Sequence, residues 1–242
     1  MREATDGAID DAFELASYAQ ILADVTPDIY EKYFPKEWVP QVIDIFKQIV
    51  PDAQSGEQEG GPLVGSFFII DDNYNPDICN RGGEAYTDNR QRPADSGVLY
   101  DYSQTYICPA TFNEVLEKGD GPAPRRADLE CDDFKFAGSY RMANEMNYIG
   151  ATIFHEMMHS NLIVVVAFKD VEIPGRGVLD NMIVDDGGYG PFTTRKLLRE
   201  NPEATKRNAD SYTWCAMEVL WTMLCSKELQ SQGGRFVDAV AD

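Results

Sequence analysis

Two histidines are the only ones in the chain, and both stand in one five-residue run, His155-Glu156-Met157-Met158-His159. On a helix, positions i and i+4 share a face, so both imidazoles can be presented to a single metal ion. Glu156 sits one position after the first of them, where its carboxylate can reach a water bound to that metal and take its proton. Zinc fits such a pair, because it lowers the pKa of bound water to about 7 and so makes a nucleophile available at neutral pH. A catalytic zinc takes three protein ligands and keeps a fourth position open. With no further histidine, a third ligand of that type is excluded, and a carboxylate is expected in its place.

Downstream carboxylates include Asp170, Glu172, Asp180, Asp185, Asp186, Glu200, Glu203 and Asp210. Asp186 stands out because it opens Asp186-Gly187-Gly188-Tyr189-Gly190, whose glycines allow the tight turn that would carry a carboxylate back to the helix; Asp185 is the nearest alternative. Tyr189 can aim its phenol at the same cleft and donate to a developing oxyanion.

The elements that must hold these groups can be read from periodicity. Ile9, Phe13, Leu15, Ala16, Tyr18, Ile21 and Leu22 recur at helical spacing over residues 8–24, and a second helix is predicted from Trp38 to Val50. A turn-rich stretch follows, then a short apolar strand, Gly65 to Ile70. Residues 71–97 are polar and glycine-containing, and read as a long excursion held by Cys79. Val98 to Cys108 alternates as a strand that Pro109 ends. A helical pattern from Ser139 runs into the histidine segment. Leu162 to Phe168 fits helix or strand, and residues 171–178 suggest a turn between extended arms. Helices are predicted at 193–200 and 210–226, with Asn208 or Asp210 as the N-cap of the second.

Composition bounds the rest. The 242 residues, 43% hydrophobic and 26% charged, suffice for one sizeable core. A formal charge of −20 argues against nucleic acid or an anionic membrane as partner and would attract basic peptides. No run approaches 18 apolar residues, so no spanning helix is expected. Five cysteines without CxxC spacing predict disulfides, hence an extracellular setting, although the first residues lack a signal-peptide profile. Cys215 and Cys225 fall on one predicted helix about 15 Å apart and cannot bond to each other. The odd count leaves a thiol free or paired between chains.

The order HEMMH, Asp-x-x-Tyr-Gly, then Asn208-Ala209-Asp210-Ser211-Tyr212 resembles the deuterolysin and peptidyl-lysine metalloendopeptidase family, the aspzincins, over roughly Tyr106 to Cys225. Ile183-Val184 replaces that family's Gly-Thr, and the connection from His159 to the aspartate is longer, with residues 162–181 expected as an insertion at the cleft rim. The resemblance implies an α+β, zincin-like fold: a small mixed sheet with the active-site helix and a mainly helical C-terminal part around one cleft. It would be a single domain, 1–242, with a helical N-terminal part (1–60) and a metallopeptidase core (98–228). It further implies one Zn²⁺ held by His155, His159 and Asp186, Glu156 as general base and Tyr189 as oxyanion donor. Asp210 would lie at a primed-side pocket favouring basic side chains, and Tyr106 on an edge strand pairing with extended substrate. The expected activity is endoproteolysis through a Glu-assisted, zinc-bound water, by a secreted monomer acting on peptides or proteins, with a preference for basic residues. The alternative is a secreted zinc-binding protein that acts through a partner with little or no proteolysis.

Overall fold

The computed structural model describes residues 2–51, 67–70, 79, 83–93, 99–108, 111, 124–168, 182–185 and 187–237. The architecture is α+β. Helix α1 (Arg2–Ile21) carries Ala8, Ala12, Leu15, Ala16 and Ala19 on one fully buried face. Small side chains at that spacing let it lie close to a neighbour. Helix α2 (Val39–Ile49) buries Val42, Ile45, Phe46 and Ile49. Helix α3 (Ile149–His159) buries every residue except His155, which is half-buried. A helix apolar on nearly all sides has to be enclosed, and α3 is enclosed by α1, by the strand Ala85–Pro93 and by the C-terminal helix. Gly150 marks the closest approach. A Cβ there would fall 2.4 Å from Asp11 Cβ and 3.1 Å from the Ala8 carbonyl oxygen on α1.

Strands β1 (Phe67–Ile70), β2 (Ala85–Pro93) and β3 (Leu99–Ile107) form a mixed sheet in the order β1-β3-β2. β1 runs parallel to β3, and β2 runs antiparallel to it in a register from Ala85↔Ile107 to Pro93↔Leu99. A short antiparallel pair, Lys135–Phe136 with Ser139–Tyr140, precedes α3. Helices α4 (Pro191–Glu200) and α5 (Ala209–Leu224) complete the frame, and α5 buries its first fourteen residues.

Two disulfides, Cys79–Cys108 and Cys131–Cys225, tie the sheet region and the end of α5. Cys215 is buried and free. The ion group Lys32–Glu218–Arg195 joins the α1–α2 connection to α4 and α5. Glu218 is fully buried, accepts from Tyr33 Oη at 2.8 Å and Lys32 Nζ at 2.5 Å, and also bonds Arg195. Among the described residues no single helix is long and apolar enough to cross a membrane.

Two elements differ from expectation. Ser139 to Tyr148 is a strand followed by turns, so the helix begins only at Ile149. Residues 71–97, read as an irregular excursion, contain β2. Its sequence carries no strand signal because the face it turns to α3 is polar: Thr87 and Asn89 lie opposite Thr105 and Ser103 in the register, and apolar alternation is absent. Leu162 to Phe168, open between helix and strand, is helical turns over Asn161–Val164 and Val165–Ala167. The extended arms expected at 171–178 lie outside the described residues.

Candidate metal centre

The site forms where the C-terminal half of α3 meets the segment leading into α4 and α5. One turn apart on α3, His155 and His159 bring their Nε2 atoms to 3.2 Å. Asp185 Oδ1 lies 3.2 Å from the first and 3.4 Å from the second. Three ligand atoms on a tetrahedral zinc with bonds of about 2.0–2.1 Å stand about 3.3–3.4 Å apart, so this triangle has the size of one face of that tetrahedron. Asp185 Oδ1 is buried without a well-directed hydrogen bond. Buried carboxylate oxygens are seldom left so. The three ligand atoms lie close enough together to share one cation, and the donor set of two imidazoles and one carboxylate suits zinc. Among the described residues this is the one group of three or more metal-ligating side chains so placed.

Each ligand is fixed from behind. His159 Nδ1 donates to the Ile183 carbonyl at 3.0 Å, and His155 Nδ1 donates to Asp210 Oδ1 at 2.7 Å. A ring that gives its Nδ1 proton away keeps Nε2 as a lone pair for metal. Asp185 is held by its neighbours' backbone. Val184 bridges to the start of α5, donating to the Arg207 carbonyl at 2.7 Å and accepting from Ala209 N at 2.9 Å. Met182 N donates to Asn161 Oδ1 at 2.8 Å. The turn then passes through Gly187, where a Cβ would come within 2.2 Å of Leu197, to Gly190 at φ 86°, a conformation that favours glycine.

Electrostatics follow from this crowding. Burial alone would push His155 down, but Asp185 and Asp210 outweigh it and raise the imidazole well above its ordinary value. His159 is raised in the same way, burial being overcome by Asp185 and Glu156. Burial would raise Asp185, yet contact with the two rings holds it below the usual carboxylate range. Glu156, only 4% exposed, is raised, burial outweighing the nearby histidines and a hydrogen bond from Thr87.

A cleft of about 630 Å³ opens over the triangle. Its walls come from β2 (Ala85, Tyr86, Thr87), from α3 (Ala151, Thr152, His155, Glu156), and from Tyr189, Thr213 and Trp214. Tyr189 is exposed, and its ring stacks 5.9 Å from that of His155. Partial desolvation where the phenol meets the cleft and the nearby Asp185 raise its pKa, although the residue as a whole is 61% exposed, so the group stays a donor.

The structure thus brings His155, His159, Glu156 and Tyr189 to one cleft. Asp186 lies outside the described residues; the carboxylate that meets the two rings is that of Asp185. Two expectations are corrected. Tyr106, expected on an edge strand facing substrate, lies on the central strand β3 and is 2% exposed, its ring stacked on Tyr86 at 4.7 Å. The edge beside α3 belongs to β2. Asp210, expected to face a substrate side chain, is 6% exposed with both oxygens engaged: Oδ1 by His155, Oδ2 by Gly190 N at 2.7 Å and Trp214 Nε1 at 3.1 Å. It secures a ring and a turn. Sequence reading missed Thr87, Asn89 and Glu84, all on or next to the unrecognised strand.

No protein-family model matches the chain, and no curated protein matches it. Among solved structures the chain is similar to a zinc peptidase from Grifola frondosa, at 15% identity over 89% of this chain and 95% of that one, with a TM-score of 0.44.

Proposed function

We propose that this chain is a secreted zinc metalloendopeptidase, with His155, His159 and Asp185 as the metal ligands and Glu156 as the general base. The observation that carries the reading is the zinc-sized triangle of ligand atoms, closed by an otherwise unsatisfied buried carboxylate oxygen, in a cleft that also contains Glu156. Zinc bound there would act as a Lewis acid on the scissile carbonyl and on water. Glu156 takes the proton of the attacking water and passes it to the leaving amine. Tyr189 donates its phenolic hydrogen to the oxyanion as charge develops. Asp210 keeps His155 in the tautomer with Nε2 unprotonated. The outer edge of β2 gives an extended peptide a strand to pair with.

A preference for basic residues has support in the cleft's charge. Apart from Glu156, Asp185 and Asp210, whose carboxylates serve the metal centre, its described lining carries Glu84 and no lysine or arginine. Glu84 Oε2 accepts from Thr152 Oγ1 at 2.9 Å. Two disulfides agree with an extracellular setting.

The test is cleavage of an unfolded protein substrate by the zinc-loaded chain and by Glu156→Gln. The parent should cleave, a chelator should stop it, and Glu156→Gln should keep its zinc while losing at least about a hundredfold in rate. A parent that carries zinc and cleaves nothing would favour the partner-binding alternative, and a Glu156→Gln variant of unchanged rate would remove Glu156 from the reaction.

A further inference from the structure

Glu156 is held by more than its place on α3. Thr87 Oγ1, on the edge strand, lies 2.6 Å from Glu156 Oε2, and Thr105 Oγ1, on the central strand, lies 2.7 Å from Thr87 Oγ1. Thr87 and Thr105 are register partners, so their hydroxyls face α3 from adjacent strands. Both are buried, at 7% and 0% exposure, which keeps competing water away. Thr87 Oγ1 also lies 3.2 Å from the Glu156 main-chain carbonyl, but Oε2 is the nearer and charged acceptor and takes the hydrogen, and Thr87 in turn accepts from Thr105. The same strand continues the contact one pleat further: Asn89 Nδ2 donates to the His159 carbonyl at 2.8 Å, and Asn89 Oδ1 accepts from Asn161 N and from Ser103 Oγ, both at 2.9 Å. Ser103 Oγ also meets Ser160 Oγ at 2.6 Å. A β-sheet face that would ordinarily be apolar against a helix is here a row of hydroxyl and amide groups aimed at the end of α3.

We propose that Thr87 is a positioning residue of the peptidase reaction: its hydroxyl, oriented by Thr105, holds Glu156 Oε2 so that Oε1 is turned to the water it deprotonates. The inference rests on the peptidase reading above. A carboxylate with one oxygen tied down has a single productive rotamer, and the strand that ties it is the one proposed to receive the substrate. Base placement and substrate pairing are thereby referred to one element. Valine has threonine's shape without the hydroxyl, so Thr87→Val removes the donor with little change in packing, and serine restores it.

The experiment compares the zinc-loaded parent, Thr87→Val, Thr87→Ser and, in case Thr87→Val fails to fold, Thr105→Val. Four readings are taken on each: kcat and KM on one peptide, zinc content, and a crystal structure of the zinc form. Thr87→Val should lower kcat by about ten- to a hundredfold, the scale of one misplaced general base. Its KM and zinc content should stay as in the parent, and the Glu156 carboxylate should be turned from its parental position. Thr87→Ser should recover kcat to within about threefold, and Thr105→Val should show a smaller loss of the same kind. The proposal is overturned by an unchanged kcat, by an unmoved Glu156, by equal losses in Thr87→Val and Thr87→Ser, or by loss of zinc along with kcat. A zinc-loaded parent without activity overturns the peptidase reading itself, a different result from an active parent indifferent to Thr87.

Discussion

Replacing Asp210 with asparagine should weaken zinc binding about 10- to 100-fold while leaving substrate preference in place. The carboxylate accepts three hydrogen bonds, from His155 Nδ1, Gly190 N and Trp214 Nε1, on two oxygens. An amide has one oxygen. If that oxygen stays with Gly190 and Trp214, the NH₂ group confronts the Nδ1 hydrogen of His155. The ring must then lose its partner or move its proton to Nε2, the nitrogen that faces the metal. Loss of a hydrogen bond to a charged group costs about 1.5–3 kcal/mol, and removal of an outer partner of a metal-bound histidine typically weakens binding by about 10–100-fold. At about 1.4 kcal/mol per decade the two figures agree. Competition against a chromogenic chelator measures the affinity, and peptides differing only in lysine, arginine or leucine beside the scissile bond measure the preference. Unchanged affinity together with loss of the preference for basic residues would refute the reasoning and return Asp210 to a substrate pocket.

Protons should compete with zinc from higher pH than for a free imidazole, because Asp185 and Asp210 raise His155, and Asp185 and Glu156 raise His159, against the opposing effect of burial. Histidines raised in the folded state stabilise the metal-free chain fully below about pH 6.5 and progressively less as pH climbs through their folded values. The difference in Tm between zinc-loaded and metal-free protein should therefore widen from pH 6 to pH 8; a difference that narrows over that range would contradict these directions. Away from the cleft, Glu218→Ala removes the buried carboxylate that Arg195, Lys32 and Tyr33 share. Urea unfolding should show a loss of about 3–5 kcal/mol. A change below about 1 kcal/mol would mean that the network stabilises nothing.

The histidine segment was legible because two imidazoles one helical turn apart are a local property of α3, written in spacing alone. The helices α1, α2, α4 and α5 were legible for the same reason. What failed depended on contacts distant in sequence. β2 has no apolar alternation, since Thr87 and Asn89 face polar groups of β3 and α3, so its sequence reads as loop. The family resemblance implies an edge strand at Tyr106, but β3 is the central strand and the edge beside α3 is β2. The resemblance implies a site role for Asp210, but whether a carboxylate at the start of α5 faces substrate or the back of His155 is decided by where α3 crosses α5. Between Asp185 and Asp186 a single residue separates the candidates, and the Val184 bridge to Asn208, which no local pattern announces, sets Asp185 against the rings.

The central claim is that His155 Nε2, His159 Nε2 and Asp185 Oδ1 close on one zinc ion. Anomalous scattering collected on either side of the zinc edge, from crystals of the zinc-equilibrated chain, tests it directly. The account predicts one peak per chain, about 2.0–2.2 Å from each of those three atoms. Absence of a peak in zinc-equilibrated crystals, or a peak whose ligands exclude either histidine or Asp185, would contradict it.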